Sequence, residues 1–590
     1  MRKRIYSTIA ILLITATAVF AGNQKIYNHD SWEYQTTKLL CQLAGIAAPH
    51  PVTPVTGAYL ENKVASIPES KLPVNARPLL AELKERISRP EGIISNDSFL
   101  LNPEIIISPE IYLNMGDTAQ RHEWEYGYID RMKVLDLRMD VAWGDHIYGN
   151  LSYPFAIRIH DESFEKTFSQ NIFIPGSSEG YQRYTPFEAG ISLGNDFFNF
   201  YLGRGKLNIG YGYTGNLFIA DNFTYQDFAK LSAYSEPFSY DFTYTHFDQQ
   251  ACNKNSQDEY YDDMLDYMTF DAPHQIRLSH TFTTHLWEKF EFSFNEGILM
   301  QSPTAVDLRM FNPFVYMHNW NGFESHHDAN GDFVQGFWTN SFMSFNFSSN
   351  IGWGIRLNFE LILDQFQMAS EKFESNPYPN AFGALFNISH VYVFEKGILE
   401  SYAETAYTNP YLYLNNIPSR MFPNYENGEE NAFTEKDRLD FVKNQDLILG
   451  YKLTYGNDIS YSGYKYGPDT IAFALGVNYT DFSDLWSIKG LFMYRAHGMH
   501  GIKYTEDTNQ DSFSDVTNEE NRSRFSLTGP LEHTLLFSVT GAIKPIASLE
   551  VFSTLTYQCK LNYNNKTESA PWNNVQWTLG VSFSPTDFLK

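Results

Sequence analysis

The run Ile351-Gly352-Trp353-Gly354-Ile355-Arg356-Leu357-Asn358-Phe359-Glu360-Leu361-Ile362-Leu363-Asp364 decides the fold. Every odd position is apolar or aromatic. Every even position except Ile362 is glycine, polar or charged. A strand sends successive side chains to opposite faces, so a period of two describes a strand with one apolar and one wet side. The pattern recurs. Phe238, Tyr240, Phe242 and Tyr244 alternate with Ser239, Asp241 and Thr243. Phe290, Phe292 and Phe294 alternate with Glu291, Ser293 and Asn295. Ile471 to Tyr479 and Val575 to Phe583 repeat it. By this parity Asp136, Arg138, Asp140, Arg158, Arg277, Glu291, Arg356, Glu360 and Asp364 share the wet face. Both signs are present, which reads as a hydrogen-bonded filling rather than an ion path.

A soluble sandwich and a transmembrane barrel both use such strands, and the connections separate them. Short connections fall near 144–146, 195–196, 235–237, 284–287, 348–350, 395–396, 481–482 and 544–546. Between them lie long polar stretches near 116–131, 161–185, 206–227, 249–273, 300–333, 365–380, 409–468, 495–530 and 560–573. Tight turns on one side and long loops on the other are the mark of an outer-membrane barrel. The spacing predicts an all-β fold: a closed antiparallel transmembrane β-barrel of about 18 strands, each near the length that crosses a bilayer at a tilt. Leu447, Leu449, Tyr451, Leu453 and Tyr455 also alternate. Counting them would break the even parity, so they are assigned to a hairpin within the 409–468 connection; the alternative is a barrel of 20 strands.

Composition agrees. Aromatics make up 16% of 590 residues, yet mean hydropathy is −0.36, as strict alternation produces. The net charge of −26 argues against a nucleic-acid partner. Arg2, Lys3 and Arg4 followed by the apolar run Ile5–Phe20 read as a cleaved signal peptide over 1–21. Residues 22–95 read as a small periplasmic α-helical bundle. Ser31 can cap a helix with Gly45 just past its end, a second helix spans Ala58–Ala65, and a third starts near Asn75 with Pro78 in its first turn. Residues 96–590 form the barrel. An even strand number places both of its ends in the periplasm and the long loops outside the cell. Cys41, Cys252 and Cys559 are too few and too far apart for a disulfide scaffold.

Several motifs fail in context. Gly176, Ser178 and Gly180 match a nucleophile elbow, but no strand–turn–helix surrounds them. Gly210, Gly212 and Gly215 match a dinucleotide fingerprint without a βαβ unit. Asp507, Asn509, Asp511 and Asp515 resemble part of a calcium loop, but Ser512 replaces its glycine and Asn518 its closing Glu. His326, His327, Asp328 and Asp332 read as a solvated loop. No catalytic residue, metal site or cofactor is expected.

The stretch from Gly203-Arg204-Gly205-Lys206 through Gly210-Tyr211-Gly212-Tyr213-Thr214-Gly215-Asn216-Leu217-Phe218 resembles the glycine-rich signature of the capsule-assembly Wzi family. Ala220-Asp221-Asn222, Lys230-Leu231, Leu308 to Phe314 with His318, and Gly467-Pro468-Asp469 fit as well. The aromatic usual in the middle of the signature is Ile209 here. The resemblance covers most of the mature chain. It implies an 18-stranded outer-membrane barrel with a small periplasmic helical bundle, which holds surface polysaccharide as a lectin-like anchor and not as an enzyme. Partners on this view are the polysaccharide, outer-membrane lipid and the outer-membrane assembly machinery. Sugar binding needs aromatic faces beside planar polar groups, which makes Arg204, Lys206, Tyr211, Tyr213 and Trp320 candidate glycan-binding residues. Tyr181, Tyr184, Tyr411 and Tyr413 offer further rings. Arg204 and Lys206 either meet an acidic polysaccharide or tie the loop to acidic neighbours. The dense glycines suggest a chain packed tightly in the barrel mouth. A porin-like diffusion channel for small solutes is the alternative function, and lumen occlusion decides between the two.

Overall fold

The structure is a computed structural model. It describes residues 23–589 apart from 89–91, 97, 121–122, 128–129, 156–164, 173–186, 224, 236, 248–273, 303–311, 313–314, 318–325, 328–332, 335–337, 366–379, 414–449, 453–458 and 500–524. The expected signal peptide, Trp320, Tyr181, Tyr184, Arg158, the Gly176–Gly180 motif and the Asp507–Asp515 run lie outside the described residues.

Three short helices lead the chain: α1 (Trp32–Ala44), α2 (Gly57–Ala65) and α3 (Arg77–Ser88). Ser31 Oγ accepts from Tyr34 N at the start of α1, and Gly45 closes it at φ +65°. Thr56 caps α2 in the same way. Leu40 and Cys41 of α1 pack with Leu60 and Val64 of α2 and Leu80, Leu83 and Ile87 of α3.

The barrel has 18 strands. They are β1 (Phe99–Ile107 with Glu110–Gly116, broken at Ser108-Pro109), β2 (Leu135–Trp143), β3 (Ile147–Phe155), β4 (Glu188–Gly194), β5 (Phe198–Gly205) and β6 (Gln226–Tyr234). Then come β7 (Phe238–Phe247), β8 (His274–Leu286), β9 (Phe290–Ser302), β10 (Trp338–Gly352), β11 (Ile355–Gln365) and β12 (Ala381–Val393). The last six are β13 (Gly397–Thr408), β14 (Thr470–Asp481), β15 (Trp486–His497), β16 (Glu532–Ile546), β17 (Leu549–Leu561) and β18 (Trp572–Phe583). Each pairs antiparallel with the next, and β18 returns to β1 from Gly580↔Glu110 to Asn574↔Gly116. Closure leaves no strand edge facing hydrocarbon. Eight connections of two to four residues lie at one end, and nine long ones lie at the other. Gly450–Lys452 pairs with Ile459–Tyr461 as a hairpin outside the wall, so the strand count stays even.

The outer surface is apolar: Phe359, Phe386, Ile388, Leu475, Val477, Phe537, Val539 and Leu555 are exposed along the wall. Trp143, Trp287, Trp353 and Trp486 ring the short-turn end, where an interface favours tryptophan.

The deciding stretch holds a reversal that its period hides. Trp353 and Gly354 form a turn, at φ +54° and +70°, and Ile355 starts β11. The turn therefore starts three residues beyond the end of the 348–350 region expected for it. A two-residue turn should exchange the parity of the flanking strands. Here the register slips between Asn350 and Gly352, which makes Ile351 a bulge that restores it. Ile351 and Phe359 therefore face outward on both sides of the turn, and Asn350, Arg356 and Glu360 face inward.

Candidate functional site

Two segments meet inside the barrel. The first enters from the short-turn end. Ala47 N donates to Glu288 O (2.6 Å) and Gln42 Nε2 to Gly354 O (2.8 Å), both at short turns, and Asn350 Nδ2 donates to Ile46 O. Past these contacts the chain climbs until Val52 and Thr53 pair with Ile209 and Asn208. The second segment is the glycine-rich connection 206–225 between β5 and β6. Gly210 and Gly215 sit at φ +135° and +132°, which L side chains rarely adopt. A side chain at Gly212 would collide with the Gly215 carbonyl oxygen. Glycines at these positions let the loop fold back on itself and enter the lumen.

Inside, the loop is both greasy and hydrogen-bonded. Leu207, Ile209, Leu217, Phe218 and Ile219 join Val52 and the inward Phe342, Ile362 and Leu385 in one core. Wall carboxylates take up the loop's backbone donors. Leu217 N and Phe218 N donate to Glu360 at 2.9 and 2.8 Å. Tyr213 N, Thr214 N and Thr214 Oγ1 donate to Glu404 at 2.7, 2.8 and 2.5 Å. Glu360 and Glu404 are only 3% and 2% exposed, so these bonds replace water they have lost.

The candidate glycan-binding residues divide into two groups. Tyr211 and Tyr213 lie deep in the bore. Tyr211 OH donates to Pro49 O (2.6 Å) and contacts Glu291. Tyr213 OH donates to Glu400 (2.6 Å) and accepts from Arg356 (3.0 Å), while its ring stacks on Tyr402 with centroids 3.8 Å apart. Arg204 and Lys206 stay at the base of the loop. Arg204 forms a two-pronged pair with Asp227 at 2.8 and 2.7 Å and stacks on Tyr225. Lys206 donates to Asp30 at 3.1 Å. Burial opposes the Lys206 charge, but Asp30 and Asp221 outweigh it and hold the ammonium above its ordinary range. Of the two roles open to these cations, the geometry carries the tie to acidic neighbours. Tyr411 and Tyr413 are buried.

Glu400, Glu404 and Lys38 escaped the sequence reading. The glutamates' one signal was their spacing, four positions apart on the wet face of β13, and that does not say what they meet. Lys38 of α1 reaches over the Tyr213 ring, 5.4 Å from its centroid. Burial, with Arg356 beside it, pushes the Lys38 ammonium down to about 8 against the pull of Glu400 and Glu404.

A second inward connection, 117–134, covers the bore beside β17 and β18. Glu123 accepts from Lys560 Nζ (2.6 Å) and Tyr563 OH (2.9 Å), and Glu125 N donates to Gln576 (3.1 Å). Beside this cap Lys465 and Arg495 lie over the Tyr466 ring, 4.9 and 4.8 Å from its centroid. Burial opposes the Lys465 charge, but Tyr466, Glu125 and Asp130 raise it well above the ordinary lysine range. Tyr402 and Tyr466 are partly open to solvent. Among the described residues no group of three or more His, Cys, Asp and Glu is placed to hold a metal.

No family model matches the chain, and no curated protein sequence matches it. Solved structures do. Wzi of Escherichia coli, described as an outer-membrane carbohydrate-binding β-barrel involved in group 1 capsule assembly, aligns with a TM-score of 0.51 at 10% identity, over 95% of this chain and 99% of Wzi. OccK9 (OpdG) of Pseudomonas aeruginosa aligns at 0.37 with 9% identity, over 84% of this chain and 100% of that one. The outer-membrane channel DcaP of Acinetobacter baumannii aligns at 0.31 with 9% identity, over 84% and 99%. The Wzi match spans both molecules and shows a shared fold, that of an outer-membrane barrel.

Proposed function

We propose that this chain is a non-enzymatic outer-membrane protein that binds or anchors surface polysaccharide. Its short turns and the helices α2 and α3 lie in the periplasm, and its long connections outside the cell; α1, expected in the periplasm with them, instead runs inside the bore, from Asp30 beside Lys206 to Gln42 at the Gly354 turn. One observation carries the reading: the inward charges are consumed by the protein itself. A diffusion pore keeps such groups in water to carry solutes past them. Here Glu360 and Glu404 are spent on backbone N–H groups of a loop folded into the bore. The same consumption leaves no inward carboxylate of this set free for acid–base chemistry. The full-length likeness to a carbohydrate-binding barrel adds support.

Deletion of the gene is expected to release surface glycan into the medium while its synthesis continues. Purified protein is expected to retain glycan on a column and to show no stable large conductance in a planar bilayer. An unchanged cell-bound glycan layer together with steady conductance would favour the diffusion channel instead.

A further inference from the structure

The barrel wall is closed all round but not of even height. β2, β4, β5 and β6 have 9, 7, 8 and 9 residues, against 11 to 15 in each strand from β8 to β18. At about 2.5 Å of height for each residue of a tilted strand, seven to nine residues rise roughly 18–23 Å, short of the ~25 Å apolar band of an outer-membrane barrel. The deficit falls on the outer side, because these strands pair right down to their short turns, at Trp143↔Ile147, Gly194↔Asn199 and Tyr234↔Ser239.

The step in the wall is held by specific bonds. β2 stops at Leu135, opposite Ile107, while β1 goes on through Glu110–Gly116 beside β18. Phe168–Gln170 takes the place of β2 along that arm, pairing with Leu113 to Ile111. Asn171 pins the branch. Its Nδ2 donates to Ser108 O (2.8 Å) and Met132 O (2.9 Å), and its Oδ1 accepts from Glu110 N (2.6 Å). The connections adjoining β2 and β5, 117–134 and 206–225, both fold into the bore instead of raising the wall.

The two sides of this low sector differ in chemistry. Outward, Phe168, Phe187 and Leu202 are exposed along its lip. Inward, the first segment of chain climbs the back of the wall: Asn199 donates to Gln24 (2.9 Å), Lys25 lies 3.9 Å from Asp140, His29 lies 3.5 Å from Asp221, and Lys206 donates to Asp30 (3.1 Å). Asp30 and Arg138 keep 53% and 50% of their side-chain surface open. A greasy lip in front of a wet, charged recess suits an amphiphile, whose acyl chains stay in the outer leaflet while its polar head passes over the lip. Lys206 is paired with Asp30 and Arg138 with Asp136, so both signs stand side by side. A hydroxyl-rich head both donates and accepts and can satisfy such pairs, whereas a bare anion or cation meets a charge of its own sign.

We propose that β2–β6 form a side entrance from the outer leaflet and that the saccharide held here carries an acyl anchor, with its head among Asp30, Arg138 and Lys206 and its chains against Phe187 and Leu202. This rests on the polysaccharide-binding reading and adds the ligand's class and its way in.

The test uses full-length protein in phospholipid nanodiscs, with empty nanodiscs as the baseline. Its probes are the producing cell's own surface glycans, extracted intact with their acyl chains, and the same glycans after hot alkali has removed the chains. Above the baseline, the intact fraction is expected to be retained at least about tenfold more strongly than the stripped one, because buried CH₂ groups carry much of an anchored ligand's affinity. Asp30→Asn with Arg138→Gln is expected to lower retention of the intact fraction at least about threefold, through weakened hydrogen bonds to the head. Heat-modifiable migration on a gel checks folding of the variant. A photo-crosslinking residue at Leu202 is expected to capture glycan-bearing lipid, and one at Phe386, on the full-height wall, phospholipid alone. Equal retention of the two fractions overturns the entrance and leaves the polysaccharide reading standing. So does retention untouched by the Asp30 and Arg138 substitutions, and so does capture of a second copy of the chain at Leu202, which makes the low wall an interface. Retention of neither fraction overturns the polysaccharide reading itself.

Discussion

Glu404 faces the bore from β13 and accepts four hydrogen bonds, from Tyr213 N, Thr214 N, Thr214 Oγ1 and Asn387 Nδ2. Glu404→Ala strands three loop donors in a dry interior, at ~1–3 kcal/mol for each group left unpaired. The expected loss is ~3 kcal/mol or more, and Glu404→Gln should recover part of it. The urea midpoint of the folded, heat-modifiable band reads both, and an Ala variant as resistant as the parent would show that the loop does not depend on this carboxylate. His50 gives a pH dependence. Its ring lies 3.7 Å from Asp241, which favours the charged form, but burial dominates and, with Lys230 also opposing a proton, pushes the imidazole down to about 4. The folded pKa is therefore below the unfolded value of roughly 6.5. Above roughly pH 6.5 neither state takes the proton and the contribution is complete; it is lost as pH falls towards 4, where the unfolded chain gains a proton that the seated His50 refuses. A shift of this size corresponds to ~3 kcal/mol. Residues 23–88 should become protease-sensitive between pH 6.5 and 4, and His50→Gln should flatten that dependence.

Along a strand, alternation in the sequence shows which face is greasy but not where the chain reverses. The even strand number and the two kinds of connection were legible because hydrocarbon punishes any wall residue out of phase. The β10–β11 turn was not, because the bulge at Ile351 keeps both strands in phase across it. Its remaining signal was the Gly352-Trp353-Gly354 triplet, whose φ values of +104°, +54° and +70° suit glycine and not tryptophan. Trp353 accepts that conformation at 87% exposure, at the short-turn rim where its ring can lie in the membrane interface. The bulge makes a sharp prediction. Deleting Ile351 forces β10 or β11 to turn its side chains over, and in β11 that sends Arg356, Asn358 and Glu360 into lipid. The deletion should abolish the heat-modifiable folded band. Removing two residues from the 366–380 connection should leave the band intact, because no wall register depends on it. A folded Ile351 deletion would mean that the wall tolerates a slipped register.

At the scale of the molecule, the packed interior was far less legible than the wall. The density of glycines pointed to a tightly folded loop. That Leu217 meets Glu360, Thr214 meets Glu404 and Asn208 pairs with Thr53 depends on contacts between residues 140 or more positions apart, for which alternation carries no signal. For the same reason Tyr211 and Tyr213 looked like ligand platforms, although the barrel uses both hydroxyls internally. The loop is held in two ways, by the carboxylates and by the apolar cluster of Leu217, Phe218, Phe342 and Ile362, and these can be separated. Glu360→Ala with Glu404→Ala removes the two carboxylates that hold the loop's backbone and leaves the apolar cluster. If the carboxylates set the loop's position, the double variant should fold with the parent's strand content and yet pass ions in a planar bilayer in frequent, brief openings, several-fold more often than the parent. A cysteine bridge engineered between the loop and the wall should silence these openings. A folded double variant as quiet as the parent would place the holding force in the apolar cluster. In that case Phe218→Ser, which puts a hydroxyl where a ring now packs against Phe342 with centroids 5.4 Å apart, should open the bore instead.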